Sequence, residues 1–273
     1  MKSDLVLQWV KDHILPKGGV EAWHGYGKAY PEISGYIIPT LLKYGCRQEA
    51  DRLADWLVQT QNPDGSWNGI DGKHATFDTA AIVEGLDAVD RWDAAKRGRE
   101  FIASQLRANH HLSRYPGDTG RAQCYMARAA WVLGDKKALA VWMPVGAWDG
   151  AWGEVQRPHY IAYLLEGLLN AGYGASVRMI LEASVNAVGQ DGIMPFWARD
   201  GWNWAGATDY CATAQFAWLY ARVGMASEAN RLGLALEKVI EPNGGIPQGD
   251  GDERQISWAA KYYLDFCYQA VTA

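Results

Sequence analysis

The chain has 273 residues, a net charge of −5 and an apolar fraction of 49%, which is enough apolar sequence for a large buried core. It contains no run of Lys and Arg, so we expect no nucleic-acid partner. The N-terminal stretch MKSDLVLQWVKDHIL carries Lys2, Asp4, Lys11 and Asp12 among its apolar residues. This pattern predicts an amphipathic helix rather than a signal peptide or a membrane span.

The four cysteines are scattered along the chain, and three of them lie in apolar stretches. They are Cys46, Cys124, Cys211 and Cys267. This distribution is typical of reduced, buried thiols and not of a disulfide framework. We therefore expect a cytoplasmic protein.

A helical motif recurs six times, with copies about 40 to 50 residues apart, and each copy follows a loop rich in Gly and Trp. The motif helices begin near Pro31, Phe77, Gly120, Pro158, Thr208 and Arg254. They are apolar on most sides, as in IAYLLEGLL, and should be buried on most sides. Six further helices with one solvated face are expected at 3–14, 46–61, 95–106, 136–143, 175–190 and 226–241.

Twelve helices that alternate in this way predict an all-α fold in two layers, an (α/α)6 barrel or α/α toroid of six helical hairpins. The unbroken repeat favours a single toroid domain over residues 1–273. No strand-like alternation of useful length competes with the helical pattern. The connections that lead into the motif helices are long, and half of the 14 tryptophans lie in them.

Each copy of the motif carries a polar residue near its start. These residues are Glu32, Asp78, Arg121, His159, Asp209 and Gln255. In a closed ring they would point into one cavity. We therefore predict that Glu32, Asp78, Asp209 and His159 are catalytic.

The alternative to a catalytic role for the carboxylates is helix capping. Asp and Glu in the first turn of a helix bind free backbone N–H groups and offset the helix dipole. His159 does not fit that alternative, because a charged His is disfavoured at a helix N-terminus, so we expect a neutral imidazole there.

Tyrosines lie one helical turn beyond several of these polar residues, and only five Phe are present in the chain. A wall of Tyr suits a polyhydroxylated ligand better than a hydrocarbon, and Trp in the loops can stack on sugar rings. The predicted substrate-binding residues are Tyr36, Trp67, His74, Arg121, Tyr125, Trp152, Tyr160, Tyr163, Trp202, Trp204 and Gln255.

The segment QNPDGSW from Gln61 resembles the Q-x-x-D-G-S-W repeat of the squalene cyclase and protein prenyltransferase toroids. Six-hairpin glycosidases, polysaccharide lyases and sugar epimerases share this hairpin architecture. Across nearly the whole chain, YPEISGYIIPTLL, TFDTAAIVEGL, PHYIAYLLEGLL and ISWAAKYYLD resemble a group of bacterial toroids that are encoded with surface-polysaccharide and exopolysaccharide biosynthesis genes. That resemblance implies the toroid fold and a glycan, and it implies no particular reaction.

The sequence departs from the terpenoid families at their catalytic motifs. The string Asp250-Gly-Asp252-Glu253 lacks the D-x-D-D pattern of terpene cyclases. Asp209 and Cys211 have the first spacing of the prenyltransferase zinc ligands, with His159 as a third candidate, but no His follows His159. We therefore predict neither a metal nor a cofactor.

These observations favour a carbohydrate-active enzyme that acts on a bacterial surface or exopolysaccharide glycan or its precursor. Hydrolysis would use two of the carboxylates as acid and base, or as acid and nucleophile. Elimination or epimerisation would use His159 and a Tyr beside a substrate carboxylate that Arg121 neutralises. A terpenoid cyclase or prenyltransferase-like enzyme and a non-catalytic glycan-binding protein are the alternatives, and the sequence does not define the oligomeric state.

Overall fold

The computed structural model describes residues 1–109, 128–134, 157–199 and 203–272, and most of these residues are helical. The helices are α1 (Ser3–Asp12), α2 (Pro31–Lys43), α3 (Arg47–Thr60), α4 (Thr76–Asp87), α5 (Trp92–Asn109), α6 (Pro158–Asn170), α7 (Gly174–Ser184), α8 (Tyr210–Arg222), α9 (Ala226–Val239) and α10 (Ser257–Thr272). Residues 128–133 are also helical. The predicted helix at 136–143 and the start of the motif copy at Gly120 lie outside the described residues.

Helices that are buried on most sides alternate with helices that bury one stripe, as the apolar patterns predict. In α8 every residue from Tyr210 to Tyr220 is buried. In α9, which follows it, burial is confined to a stripe around Ala229, Leu232 and Leu236. The predicted alternation is therefore confirmed along the described part of the chain.

The chain forms two compact units, Val10–Asp135 and Met1–Trp9 together with Lys136–Ala273. In the first unit α2 packs against α3 and α4, and α4 packs against α5. The contact between α2 and α4 is close, because a Cβ on Gly85 would lie 2.3 Å from the carbonyl oxygen of Gly35. In the second unit α8 packs against α6, α9 and α10. The single domain expected from the repeat stays a prediction.

Short antiparallel strand pairs lie in the long loops. They are β1 (Val20–Glu21) with β2 (Ala29–Tyr30), β3 (Pro195–Arg199) with β4 (Asn203–Thr208), and β5 (Pro247–Gly249) with β6 (Asp252–Gln255). These strands have two to six residues, and each pair joins the two ends of one loop, so no strand-like alternation competes with the helical pattern in the described residues, as expected.

A tight turn that contains a glycine at positive φ follows several of the helices that have one solvated face. At Gly65 φ is +89°, and a Cβ there would lie 2.3 Å from the carbonyl oxygen of Arg97 in α5. At Gly244 φ is +93°, and a Cβ would lie 2.4 Å from the carbonyl oxygen of Leu5 in α1. Glycine is required at these two positions both by the backbone conformation and by the close approach of a helix backbone.

In three of the repeats, a hydroxyl side chain in the first turn of the motif helix binds the backbone of the loop that precedes that helix. The hydroxyls of Ser34, Thr79 and Thr213 donate to the carbonyl oxygens of Tyr30, Ala75 and Asp209. They accept hydrogen bonds from the backbone N–H groups of Val20, Trp67 and Met194. Tyr30, Ala75 and Asp209 are therefore the equivalent residues of these three repeats.

This register corrects the alignment of the polar residues. Glu32 is the second residue of α2, Asp78 is the third residue of α4, and Asp209 precedes α8 as its N-cap. Gln255 belongs to β6, before α10 begins, and its Oε1 accepts hydrogen bonds from Trp9 Nε1 and Asn243 Nδ2. Glu32 and His159 are equivalent, as the second residues of α2 and α6, but the prediction was wrong for Asp78, Asp209 and Gln255, because it aligned the repeats by side-chain polarity instead of by the backbone.

Candidate functional site

Two of the predicted catalytic carboxylates meet at one tyrosine. Tyr30, the N-cap of α2, brings its phenol oxygen to 2.7 Å from Glu32 Oε2 and to 2.6 Å from Asp78 Oδ2. All three side chains are buried, with Asp78 at 0% and Glu32 at 5% exposure. The extended backbone at Tyr30 places the ring across the first turns of α2 and α4, which pack together. We call this group the Tyr30 bridge.

The two short contacts of the Tyr30 bridge bear on where its hydrogens lie. A phenol has one hydrogen and can donate it to only one of the two carboxyl groups at a time. The second short contact needs another hydrogen, which a protonated carboxylic acid supplies by donating to the phenol oxygen. A proton shared between the two carboxyl groups would therefore satisfy both contacts of the Tyr30 bridge.

A buried cation lies in the same unit. The guanidinium of Arg128 lies 4.0 Å from the ring centre of Tyr36 and 5.8 Å from that of Phe77. Its Nη1 pairs with Glu84 Oε2 at 2.7 Å. The ring of Tyr36 thus makes a cation–π contact with Arg128. The sequence predicted Tyr36 as a substrate-binding residue and did not predict this contact.

In the second unit, Asp209 caps the N-terminus of α8. Capping was the alternative to a catalytic role for each carboxylate. Its Oδ1 accepts from the backbone N–H of Ala212 at 2.9 Å, and its Oδ2 pairs with Arg157 Nη2 at 3.0 Å. Burial raises the pKa of Asp209, and Arg157 and the backbone N–H groups oppose that rise. The guanidinium of Arg157 also stacks on Phe196, 3.9 Å from its ring centre. Both oxygens of this carboxylate thus have structural partners.

His159, the second residue of α6, contacts residues of α8. Its Nδ1 lies 2.8 Å from Gln215 Oε1 and 3.4 Å from Cys211 Sγ, and its ring meets Tyr163 edge-on at 4.6 Å. Burial, together with the charge of Arg157, lowers the pKa of His159 from 6.5 to about 3. The imidazole is neutral, as expected from its place at a helix start.

The candidate zinc ligands Asp209, Cys211 and His159 do not form a metal centre. Asp209 is directed to Arg157 and to the α8 backbone, whereas Cys211 lies beside His159. Across residues 1–109, 128–134, 157–199 and 203–272, no group of three or more His, Cys, Asp and Glu side chains is arranged to hold a metal ion.

Trp67 corrects the prediction of a sugar platform in its loop. Its side chain is fully buried, and its Nε1 donates to the carbonyl oxygen of Leu57 at 2.8 Å. A Cβ on Gly98 would lie 3.2 Å from the indole, so the ring fills the space over α5. The polar composition of the loop suggested exposure, but the indole returns to the core and binds the end of α3.

The other predicted binding residues have separate surroundings. His74 Nδ1 lies 2.7 Å from Asp64 Oδ2 at the surface of its loop, and Tyr160 lies beside His159 and Arg157. Trp204 belongs to β4, and its side chain lies outside what the structure describes. Arg121, Tyr125, Trp152 and Trp202 also lie outside the described residues.

A second buried charge cluster was missed by the sequence analysis. Lys261 Nζ lies 3.1 Å from Asp265 Oδ2 and 3.6 Å from Glu166 Oε1, and Tyr262 donates to Glu166 Oε2 at 2.8 Å. Glu166 and Glu84 occupy the same place, the ninth residue, in α6 and α4, and each pairs with a buried cation. The repeated Glu-Gly-Leu at these places was the available signal.

No protein-family model matches the sequence, and no curated protein sequence matches it either. Solved structures do match over almost the whole chain. An α-amylase from Clostridium perfringens matches with a TM-score of 0.71 and 14% identity, over 98% of each chain. A protein from Actinoplanes gives 0.74 and 16%, again over 98% of each chain. A type II terpene cyclase variant from Scytonema, in complex with its substrate geranylgeranyl dihydroxybenzoate, gives 0.71 and 14%, over 100% of this chain and 97% of that chain.

These neighbours are glycosidase-like and terpene cyclase-like toroids, so the fold class of the chain is the all-α toroid predicted from the repeat. At such low identity the likeness concerns the fold and not the reaction. None of the helices in the described ranges combines the length and the apolar character that crossing a membrane requires.

Proposed function

We propose that this chain is a glycosidase-like enzyme, and that Glu32 and Asp78 of the Tyr30 bridge supply its acid and its base or nucleophile. The observation that carries the proposal is the shared phenol oxygen, because it brings two buried carboxyl groups to one hydrogen-bonding atom. Glycoside hydrolysis needs one protonated and one ionised carboxyl group at the same time.

The separation of the carboxyl groups favours one stereochemical course. The two oxygens contact the same phenol oxygen, so they lie at most about 5 Å apart, an upper limit that is compatible with retaining glycosidases. Inverting enzymes separate the groups further to admit a water molecule. We therefore propose hydrolysis with retention, in which one carboxyl protonates the leaving oxygen and the other attacks the anomeric carbon.

Elimination and epimerisation are less well supported. They would require His159 to remove a proton, but an imidazole with a pKa of about 3 is a weak base at neutral pH. An α-amylase is also among the structural neighbours. The resemblance to toroids of surface-polysaccharide gene clusters makes a bacterial surface glycan, an exopolysaccharide or one of their precursors the substrate class we propose.

The proposal is tested with a panel of soluble neutral and acidic oligosaccharides, by mass spectrometry of the products. We expect cleavage of at least one member, and a loss of roughly a hundredfold or more in turnover for Glu32→Gln and Asp78→Asn. Glu228→Gln is the matched control, because it makes the same change in the first turn of α9. Turnover near the wild-type rate in both amide variants would contradict the proposal.

The second candidate is a terpenoid cyclase, which the match to the Scytonema enzyme favours. A buried neutral acid can protonate an alkene as well as a glycosidic oxygen. Prenyl diphosphates and geranylgeranyl compounds are therefore included in the panel. Conversion of these compounds without any response to glycans would favour the cyclase, and glycan binding without turnover would favour a non-catalytic binding protein.

A further inference from the structure

The solvated face of α3 carries a groove that the acid–base chemistry above does not use. Its volume is about 370 Å³, which lies in the range of small-molecule binding sites. The turn after α1 forms one wall, and the outward face of α3 from Gln48 to Gln59 forms the floor. All the lining residues belong to the unit Val10–Asp135, and none of them belongs to the Tyr30 bridge.

The residues of the floor form a single row along α3. They are spaced three or four residues apart, which places them on one face of the helix. The exposed side chains of Gln48 and Gln59 mark the two ends of the row. Eleven residues of helix separate them, so they lie about 16 Å apart along the axis. A ligand that contacts both amides must therefore be extended, with polar groups along its length.

Trp56 supplies a fixed aromatic side chain in this row. A Cβ on Gly18 would lie 2.5 Å from Trp56 Cβ, and a Cβ on Gly19 would lie 2.9 Å from Cε3 of the indole. The backbone of these two glycines therefore packs directly against Trp56, which is half-buried. Trp56 also lines the groove, where its indole can stack on the apolar C–H face of a sugar ring.

The charged side chains of the floor already have partners. Asp51 and Asp55 both pair with Arg91, at 3.3 and 2.9 Å. Arg52 Nη2 donates to the carbonyl oxygen of Leu15. Two acidic and two basic side chains line the groove, so neither sign of charge dominates in it. The groove therefore favours a neutral ligand, and the carboxylates retain lone pairs that can accept hydrogen bonds from hydroxyl groups.

We propose that this groove binds a neutral oligosaccharide that lies along α3, with one sugar ring on Trp56 and hydroxyl groups on Gln48 and Gln59. The proposal rests on the proposed function for its ligand class. An oligosaccharide combines an apolar ring face with hydroxyl groups that both donate and accept, as the amides do. A second binding site of this kind holds a long glycan on the enzyme and raises its local concentration at the catalytic carboxyl groups.

The test measures binding separately from cleavage. The variant Glu32→Gln, labelled with nitrogen-15 at tryptophan, is titrated with neutral malto-, cello-, xylo- and manno-oligosaccharides of increasing length. The indole N–H signal of Trp56 is identified by its loss in Trp56→Phe. We expect at least one series to shift this signal, with an affinity that rises with chain length.

Two amide side chains provide a test that leaves the packing of Trp56 intact. Gln48→Ala combined with Gln59→Ala should raise the Kd roughly tenfold, because it removes two hydrogen bonds. Gln269→Ala, near the end of α10, is the control and should keep the original Kd. Trp92→Phe, which changes a 58% exposed indole outside the groove, is the control for Trp56→Phe.

The outcomes separate this proposal from the proposed function. A shifted Trp56 signal and a weaker Kd in the double variant, without cleavage by the wild-type protein, would support the groove and contradict the proposed function alone. Cleavage with an unmoved Trp56 signal, or with an unchanged Kd in the double variant, would overturn the groove alone. Binding of acidic oligosaccharides only would overturn the assignment of a neutral ligand, and no binding of any saccharide would overturn both proposals.

Discussion

The substitution His159→Gln removes an imidazole that the folded protein keeps neutral, and it should change how stability depends on pH. Burial and the charge of Arg157 lower the pKa of His159 from 6.5 to about 3. Between these two values the unfolded chain binds a proton that the folded protein does not bind. The wild-type protein therefore loses stability as the pH falls from 6.5 towards 3.

The magnitude follows from one proton of difference between the two states. Each unit of pH within the window changes the free energy of unfolding by about 1.4 kcal/mol, which gives about 2–3 kcal/mol between pH 6.5 and about pH 4.5. Asp209 contributes with the opposite sign above pH 3.8, because its raised pKa lets the folded protein hold a proton longer. The prediction therefore concerns the difference between variant and wild type, in which the contribution of Asp209 cancels.

Urea unfolding at a series of pH values, followed by tryptophan fluorescence, measures this difference. Plotted against pH, the free energy of unfolding of His159→Gln should have a slope about 1.4 kcal/mol per pH unit shallower than that of the wild type. Gln59→Ala, at an exposed position of α3, removes no ionisable group and is the control that should keep the wild-type slope. Parallel curves for wild type and His159→Gln would refute the reasoning that the folded protein keeps His159 neutral.

Three further predictions concern the core and the Tyr30 bridge. Trp67→Ala should lower the free energy of unfolding by about 3–5 kcal/mol, whereas Trp92→Ala, which removes a 58% exposed indole, should change it by less than about 0.5 kcal/mol in denaturant titrations. Gly65→Ala should destabilise the protein in the same assay, because the Cβ meets the Arg97 carbonyl at positive φ, and an unchanged midpoint would contradict that contact. Tyr30→Phe removes the shared hydrogen and should lower turnover about tenfold to a hundredfold while the circular dichroism spectrum is kept, and wild-type turnover would show that the bridge has no role in proton transfer.

The apolar patterns were sufficient to predict the helices but not the register of the repeats. Periodicity identified α3 and α9 as helices with one buried stripe and α8 as a helix buried on most sides, because burial follows directly from which faces are apolar. The repeats are aligned by hydroxyls such as Thr79 and Thr213, which are small and inconspicuous in apolar segments.

The candidate site could be predicted only in part for a related reason. Glu32 and Asp78 were selected by charge, and the structure joins them. The residue that joins them, Tyr30, lies before the helix, and nothing in the sequence fixes the direction of its side chain. Trp67 was misjudged because a Trp in a polar loop can point either to solvent or to the core, and contacts between distant segments decide which.

The configuration of the first product formed from a cleaved oligosaccharide tests the central claim most directly. Proton NMR, recorded before the product equilibrates between its anomers, identifies that configuration. Carboxyl groups within about 5 Å of each other predict a product with the same anomeric configuration as the substrate. A product with inverted configuration, or a wild-type protein that cleaves no glycosidic bond, would contradict the assignment of Glu32 and Asp78 as the catalytic pair.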